Sequence, residues 1–325
     1  MRLMLLLLGL AGLGLGGATA AKSLASAVAP AGSTASGTGA QILFSRAAQD
    51  FAPPSLYLMD SNGTNVRLLV SNAGAASVSR DGQRIAFVRG GEIWAMQRDG
   101  RAQERLTTPQ SGWVDAGDPT WSPDGRTLYF SRSTKPYEDH SAIFSVHADG
   151  TGLRRLTRVR CDYGPTVSAD GRFVAFGRIL GDCIHGDAGA LRAITTATPT
   201  VLRRLPFRFP LLWLYDPASS PDGRRLAYVS LCDFNSTPPT AGCFGLFVSV
   251  LGGSRPRRLL WRSSQEFGYI NGPAWSPDGT QLAFEVDEGT GDIWLIRADG
   301  TQLRRLTRTK AVDSDPVWLP VQTSP

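Results

Sequence analysis

Residues 118–130 read DPTWSPDGRTLYF, and residues 272–284 read GPAWSPDGTQLAF. Weaker copies are GPTVSADGRFVAF (164–176), DPASSPDGRRLAY (216–228) and ASVSRDGQRIAF (76–87), and a truncated one, DPVWLP (315–320), lies near the C-terminus. The Asp-Gly pairs begin at Asp81, Asp124, Asp170, Asp222 and Asp278, at spacings of 43, 46, 52 and 56 residues. In Ser122-Pro123-Asp124-Gly125 the proline presets φ at the second turn position and the glycine relieves the fourth, a type I turn signature. A hydrophobic strand leads into each turn and another leaves it.

Each copy continues alike. A second alternating strand follows a variable loop: EIWAMQ (92–97), AIFSVH (142–147), GLFVSV (245–250) or DIWLIR (292–297). Then comes a tight Asp-Gly turn at Asp99, Asp149 or Asp299, and a short strand such as LRRLT (153–157 and 303–307). The fourth copy has Thr196-Ala197-Thr198-Pro199 in place of that turn, and a looser connection is expected there. Four strands per ~45 residues is the period of a β-propeller blade. Residues 41–70 supply three strands without an inner one, and the C-terminal copy supplies only an inner one. The expected fold is all-β, a six-bladed propeller. Its ring is closed by pairing of the C-terminal strand (315–319) with the first blade, which removes free sheet edges.

The P-x-W-S-P-D-G motif, the following L-x-F and the later A-D-G-x-x-x-x-L-T resemble the TolB-type, WD40-like propeller repeat over about 41–320. That resemblance implies an envelope protein that binds a protein or peptide partner. TolB carries an α/β domain before its propeller. Here an Ala/Ser/Gly-rich stretch runs straight into the first blade, so the resemblance is to the propeller alone.

The N-terminus, MRLMLLLLGLAGLGLGGATA, has a basic start, an apolar run and an A-x-A site at Ala18–Ala20. It reads as a secretory signal peptide over 1–20, followed by a tether over 21–40, the propeller over 41–320 and a tail over 321–325. The expected location is periplasmic or extracellular, with no membrane span after cleavage. Four cysteines in an oxidising compartment suggest two disulfides. Cys232 and Cys243 flank one loop, and Cys161 and Cys183 lie in two loops of the fourth blade, so the expected pairs are 161–183 and 232–243.

The net charge is +6. Much of the arginine falls on the fourth strands, for example Arg67, Arg105, Arg154, Arg155, Arg203, Arg204, Arg257, Arg258, Arg304 and Arg305. Charge on an outer strand discourages edge pairing. Spread around a rim, it does not form the basic, aromatic-laced face that nucleic acid needs. Long loops gather on one face, including Ser131–Ser141 and Arg178–Ala188, and binding concentrates on such loops. On that face Asp118, Asp216 and Asp315 share one motif position in alternate blades and are expected to ring the channel mouth. Such a ring attracts a cation or a basic peptide; alternatively each carboxylate caps local amides. The loop aromatics Trp113, Tyr137, Trp213, Tyr215, Phe267 and Tyr269 are candidate partner contacts. Trp121, Trp275 and Trp318 lie within strands and are expected in the core.

No catalytic motif is found. His140, His147 and His185 do not complete a metal set, and there is no G-x-S-x-G. The expected function is exported, non-catalytic partner binding by a monomer, with no resident cofactor or metal. The alternative is a carbohydrate-binding or carbohydrate-active protein using the same aromatics and the loop acids Asp115, Glu138, Asp139, Asp182, Asp187, Asp233, Asp287 and Glu288.

Overall fold

The computed structural model describes residues 39–49, 52–135, 138–158, 161–180, 188–197, 202–204, 214–231, 243–250, 256–263, 269–288 and 290–321. The expected signal peptide and almost all of the tether fall outside them. Every regular element within them is a β-strand. In chain order these are β1 (Gln41–Ala47), β2 (Ser55–Asp60), β3 (Arg67–Val70), β4 (Gly74–Val78), β5 (Arg84–Arg89), β6 (Glu92–Gln97), β7 (Glu104–Arg105), β8 (Val114–Trp121), β9 (Thr127–Lys135), β10 (Glu138–His147), β11 (Arg154–Arg155) and β12 (Cys161–Val167). They continue with β13 (Phe173–Leu180), β14 (Ala188–Thr195), β15 (Leu202–Arg204), β16 (Leu214–Ser219), β17 (Arg225–Leu231), β18 (Cys243–Val250), β19 (Arg257–Ser263), β20 (Tyr269–Trp275), β21 (Gln281–Asp287), β22 (Gly291–Arg297), β23 (Arg304–Arg305) and β24 (Val312–Leu319).

The strands pair antiparallel in sets of four. β4 to β7, β16 to β19 and β20 to β23 each form a sheet in sequence order. β8 to β11 and β12 to β15 form two more sets, joined into one sheet by a single parallel pairing, Ser141 with Cys161. The remaining sheet has the order β24-β1-β2-β3, with Gln41 opposite Leu319 and Ala47 opposite Val312. The last strand of the chain thus lies beside the first.

The expected turns form. Gly125 N–H donates to the Ser122 carbonyl (2.9 Å). Ser122 Oγ donates to Asp124 Oδ1 (2.6 Å) and accepts from Thr127 N–H (2.9 Å). Asp81, Asp170, Asp222 and Asp278 repeat the serine contact. These bonds favour the ionised form and hold Asp81, Asp124, Asp170 and Asp222 below the usual carboxylate range; Asp278 is also lowered, against an opposing burial effect.

The core lies between sheets. Ala86 and Ile93 of one set pack with Trp121 and Phe130 of the next. Leu43 and Leu56 pack with Ile85 and Phe87. Ile42, Phe44 and Trp318 pack with Ala283 and Leu295, which brings the final set against the first. The first strands touch in succession: β4 meets β8, then β12, β16, β20 and β24, and β24 meets β4. Trp121, Trp275 and Trp318 are buried, as the sequence suggested.

One expectation is corrected. Ser131–Ser141 is mostly not loop, because β9 runs to Lys135 and β10 starts at Glu138. The stretch is almost wholly polar, and backbone pairing of Ser133 with Ser141 and of Lys135 with Glu138 carries the ladder through it. The outer strands are also uneven, from two residues in β7, β11 and β23 to seven in β19.

Candidate functional site

Each inner strand contains the same irregularity. In β8 the residues Asp118 and Pro119 together oppose one residue of β9, between the pairs Gly117–Ser131 and Thr120–Tyr129. β4, β12, β16, β20 and β24 show the same two-against-one register shift. The single opposing residues are Phe87, Phe176, Tyr228, Phe284 and Phe44, with Phe130 in β9, and all six are fully buried. A β-bulge of this kind needs its first residue in the left-handed region. That residue is Ala75 (φ 44°), Asp118 (51°), Gly164 (55°), Asp216 (45°), Gly272 (54°) or Asp315 (51°). Gly accepts this conformation freely, and Asp better than most side chains. Aspartate therefore alternates with a small residue along the inner strands.

The small residues are used by their neighbours. Asp118 Oδ2 accepts from Gly164 N–H (3.3 Å) on the next inner strand and from Ser131 Oγ (3.1 Å). Asp216 Oδ2 accepts from Gly272 N–H (3.1 Å) in the same way. Its other oxygen lies 3.7 Å from where a Cβ on Gly164 would stand. Asp315 departs from the pattern and accepts from Ser314 Oγ (3.1 Å). The Ala75 N–H goes instead to Ser45 Oγ (3.1 Å).

Asp118 and Asp315 are reached by solvent and Asp216 is half-buried. Burial pushes Asp118 upward, with the charge of Asp315 adding to it. Burial pushes Asp216 up to about 6; the Gly272 N–H opposes this, and the charges of Asp118 and Asp315 reinforce it. Asp118 and Asp216 thus each accept a backbone amide, from the next inner strand rather than from local backbone. Among the described residues no three His, Cys, Asp or Glu side chains are gathered to hold a metal ion.

The aromatics divide. Trp113 is half-buried and packs edge-on against Phe144, with centroids 4.8 Å apart, so much of its surface is committed to the core. Tyr269 opens β20 and is half-buried. Tyr137, Trp213 and Phe267 lie outside the described residues, as does the side chain of Tyr215. His140 is exposed on β10, and His147 meets Thr151 Oγ at 3.1 Å. Glu288 pairs with Arg305 at 3.8 Å. Cys161 is buried and disulfide-bonded; Cys183 and Cys232 lie outside the described residues, and Cys243 opens β18.

A buried ionic layer was missed from sequence. Arg46 grips Asp313 through Nε and Nη2 (2.6 and 2.8 Å), and Arg178 grips Asp162 likewise (2.5 and 2.7 Å). Both aspartates stand two residues before the bulge. In the third set that position is Ala116, and Arg132, 0% exposed, turns instead to Glu92 of the preceding set (2.7 and 2.9 Å) and to the Thr108 carbonyl (3.0 Å). The signal was an arginine two residues after the aromatic in FSR (44–46 and 130–132) and FGR (176–178). A cleft of about 940 Å³ opens among the tight turns, bordered by Arg67, Arg84, Arg98, Asp99, Glu104 and Asp149.

No family model matches the chain. A 106-residue stretch, 32% of this chain, is 35% identical to the Tol-Pal system protein TolB of Anaeromyxobacter dehalogenans strain 2CP-C. The repeat resembles TolB. The match spans about a fifth (21%) of that relative's length. The solved structure of TolB from Acinetobacter baumannii superposes with a TM-score of 0.68 at 17% identity, over 86% of this chain and 67% of that one. An oligogalacturonate lyase in complex with manganese superposes at 0.56 and 17% identity, over 82% and 74%. At these identities both structures speak for the TolB-like propeller fold alone.

Proposed function

We propose that this chain is an exported, non-catalytic binding protein of the cell envelope. On this reading the six four-stranded sets are the blades of a closed TolB-like ring, with β24 completing the first blade. A protein or peptide partner docks on the long-loop face and the channel mouth. Asp118, Asp216 and Asp315 present negative charge there, and Tyr137, Trp213, Tyr215, Phe267 and Tyr269 supply apolar contacts. Disulfides 161–183 and 232–243 staple the loops; the second closes a short loop worth roughly 3 kcal/mol in the chain-entropy model. The chain enters the envelope by its N-terminal signal peptide.

The observation that carries this reading is the alternation of aspartate with Gly or Ala at one bulge position of the inner strands. Asp118 and Asp216, pushed upward by burial and by the neighbouring carboxylate charge, favour a cationic group brought to them. The partner surface is therefore a basic one. The lyase-like fold supports a second reading, carbohydrate binding, but an acidic mouth repels an anionic sugar and suits only a neutral or cationic one.

The test captures partners from envelope extract on residues 21–325 made in an oxidising compartment. The comparison protein carries Asp118→Asn, Asp216→Asn and Asp315→Asn, after its melting has been checked. A partner held by the parent and lost from the triple variant is the expected result. Retention by both moves the site to the loop aromatics. Absence of any protein partner shifts the reading to carbohydrate.

A further inference from the structure

Short outer strands deny a foreign chain a template for pairing. β7, β11 and β23 have two residues, β15 three and β3 four, but β19 has seven. One position accounts for much of the difference. Thr107, Thr157 and Thr307 follow the outer strands of their sets. Each accepts a backbone N–H through Oγ, from Ile93, Ile143 and Ile293 at 2.9, 3.0 and 2.9 Å, in place of further backbone pairing. The fifth set has Leu260 there. Its ladder runs on, pairing Trp261 with Gly245, Arg262 with Phe244 and Ser263 with Cys243.

The extension carries an apolar anchor. Trp261 is 39% exposed, and its cross-strand partner is a glycine over which the Phe247 ring lies, so an apolar surface stays open to solvent there. Among the described residues no strand pairs with the outer side of β19. The charge beside it is positive. Arg257 and Arg258 are both exposed, and the Arg258 guanidinium lies 5.9 Å from the Trp261 ring. Arg257 donates to the backbone carbonyl of Asp299 (2.5 Å), which leaves β19 with a cationic flank.

We propose that the outer edge of β19, from Leu260 to Ser263, takes an extended acidic segment of a partner protein as a fifth strand. Its backbone continues the ladder, its apolar residues lie on Trp261, and its carboxylates meet Arg257 and Arg258. A second copy of this chain would bring the same arginines against one another, so the edge selects an acidic strand over itself. This surface is on the rim, separate from the channel mouth.

The test uses the full chain and a fluorescent peptide of alternating Glu and Val, with a Lys and Val peptide as control. The expected result is saturable binding of the acidic peptide, weaker by about tenfold or more for the basic one. Amide hydrogen exchange slows at Leu260–Ser263. Trp261→Lys, which adds an edge lysine, loses about tenfold in affinity, and Arg258→Glu loses severalfold, both melting as the parent does. The Asp118, Asp216 and Asp315 triple variant binds the peptide unchanged, so this proposal and the channel-mouth reading fail independently. Absence of saturable binding, unchanged affinity in both rim variants, or exchange protection only elsewhere overturns the proposal. So does a concentration-dependent dimer abolished by Trp261→Lys, which would make a second copy the occupant.

Discussion

A side chain in the left-handed region is held there by its surroundings, and Asp216 is held by its bulge and by Gly272 N–H. Its folded-state pKa of about 6 lies above the roughly 3.9 of an unfolded aspartate. The folded state therefore binds this proton more tightly than the unfolded one. Its contribution is most favourable below about pH 4, falls as the pH rises through about 6, and is constant above. Asp216→Asn keeps an acceptor for Gly272 and never ionises. It should raise stability at pH 7.5 by about 1–2 kcal/mol, after allowance for solvent screening, and match the parent at pH 4. Thermal melts at the two pH values decide it; equal differences at both would remove the electrostatic account. The three aspartates were legible in the sequence because they share a motif position. Their left-handed backbone was not, since it follows from a register shift against a neighbouring strand. Arg132 shows the same limit: its carboxylate partner, Glu92, lies in another repeat, and only the packing of two sheets brings them together.

Among elements, the Asp-Gly and Asn-Gly hairpins couple one set to the next. Gly63 turns at φ 89°, and a Cβ there would stand 2.9 Å from the Leu306 carbonyl of the final set. Gly100 and Gly150 stand against Leu69 and Leu106 in the same manner. Gly63→Ala should cost about 1–2 kcal/mol through both strain and contact. Gly90→Ala, at φ 56° with nothing near, bears only the backbone part and should cost less. Chemical denaturation of the two variants measures the difference, and equal losses would show that the Leu306 contact contributes nothing. These turns could be read in advance because their chemistry is local. The length of β19 could not, since it hangs on Leu260 standing where three other repeats have a threonine. The run of β9 and β10 through residues taken for a loop has a similar origin: strands made almost wholly of polar residues read as loops, and the burial of Arg132 depends on Glu92 in another set.

For the whole molecule, the pairing of β24 with β1 decides how the parts cohere. β24 buries Trp318 and Leu319 and covers Ile42, Leu43 and Phe44. Arg98 adds a hydrogen bond to the Pro320 carbonyl (2.8 Å), and Trp318 Nε1 donates to the Ala274 carbonyl (3.1 Å). A chain ending at Ala311 loses all of this and leaves β1 an open apolar edge. It should lose cooperative unfolding, whereas a chain ending at Val321 should melt as the parent does. Calorimetry separates them, and a sharp, unshifted transition in the shorter chain would show that the last strand is dispensable. The repeat count foretold this pairing, because three strands at one end and one at the other complete a set.

The same pairing has a mechanical side. Gln41 lies opposite Leu319, so the chain enters and leaves that sheet at one corner. A pull between these two points does not shear the strands along their length. It parts them pair by pair from that corner, like a zip, with Gln41–Leu319 first and Ala47–Val312 last. The sheet that holds both ends thus meets such a pull one residue pair at a time.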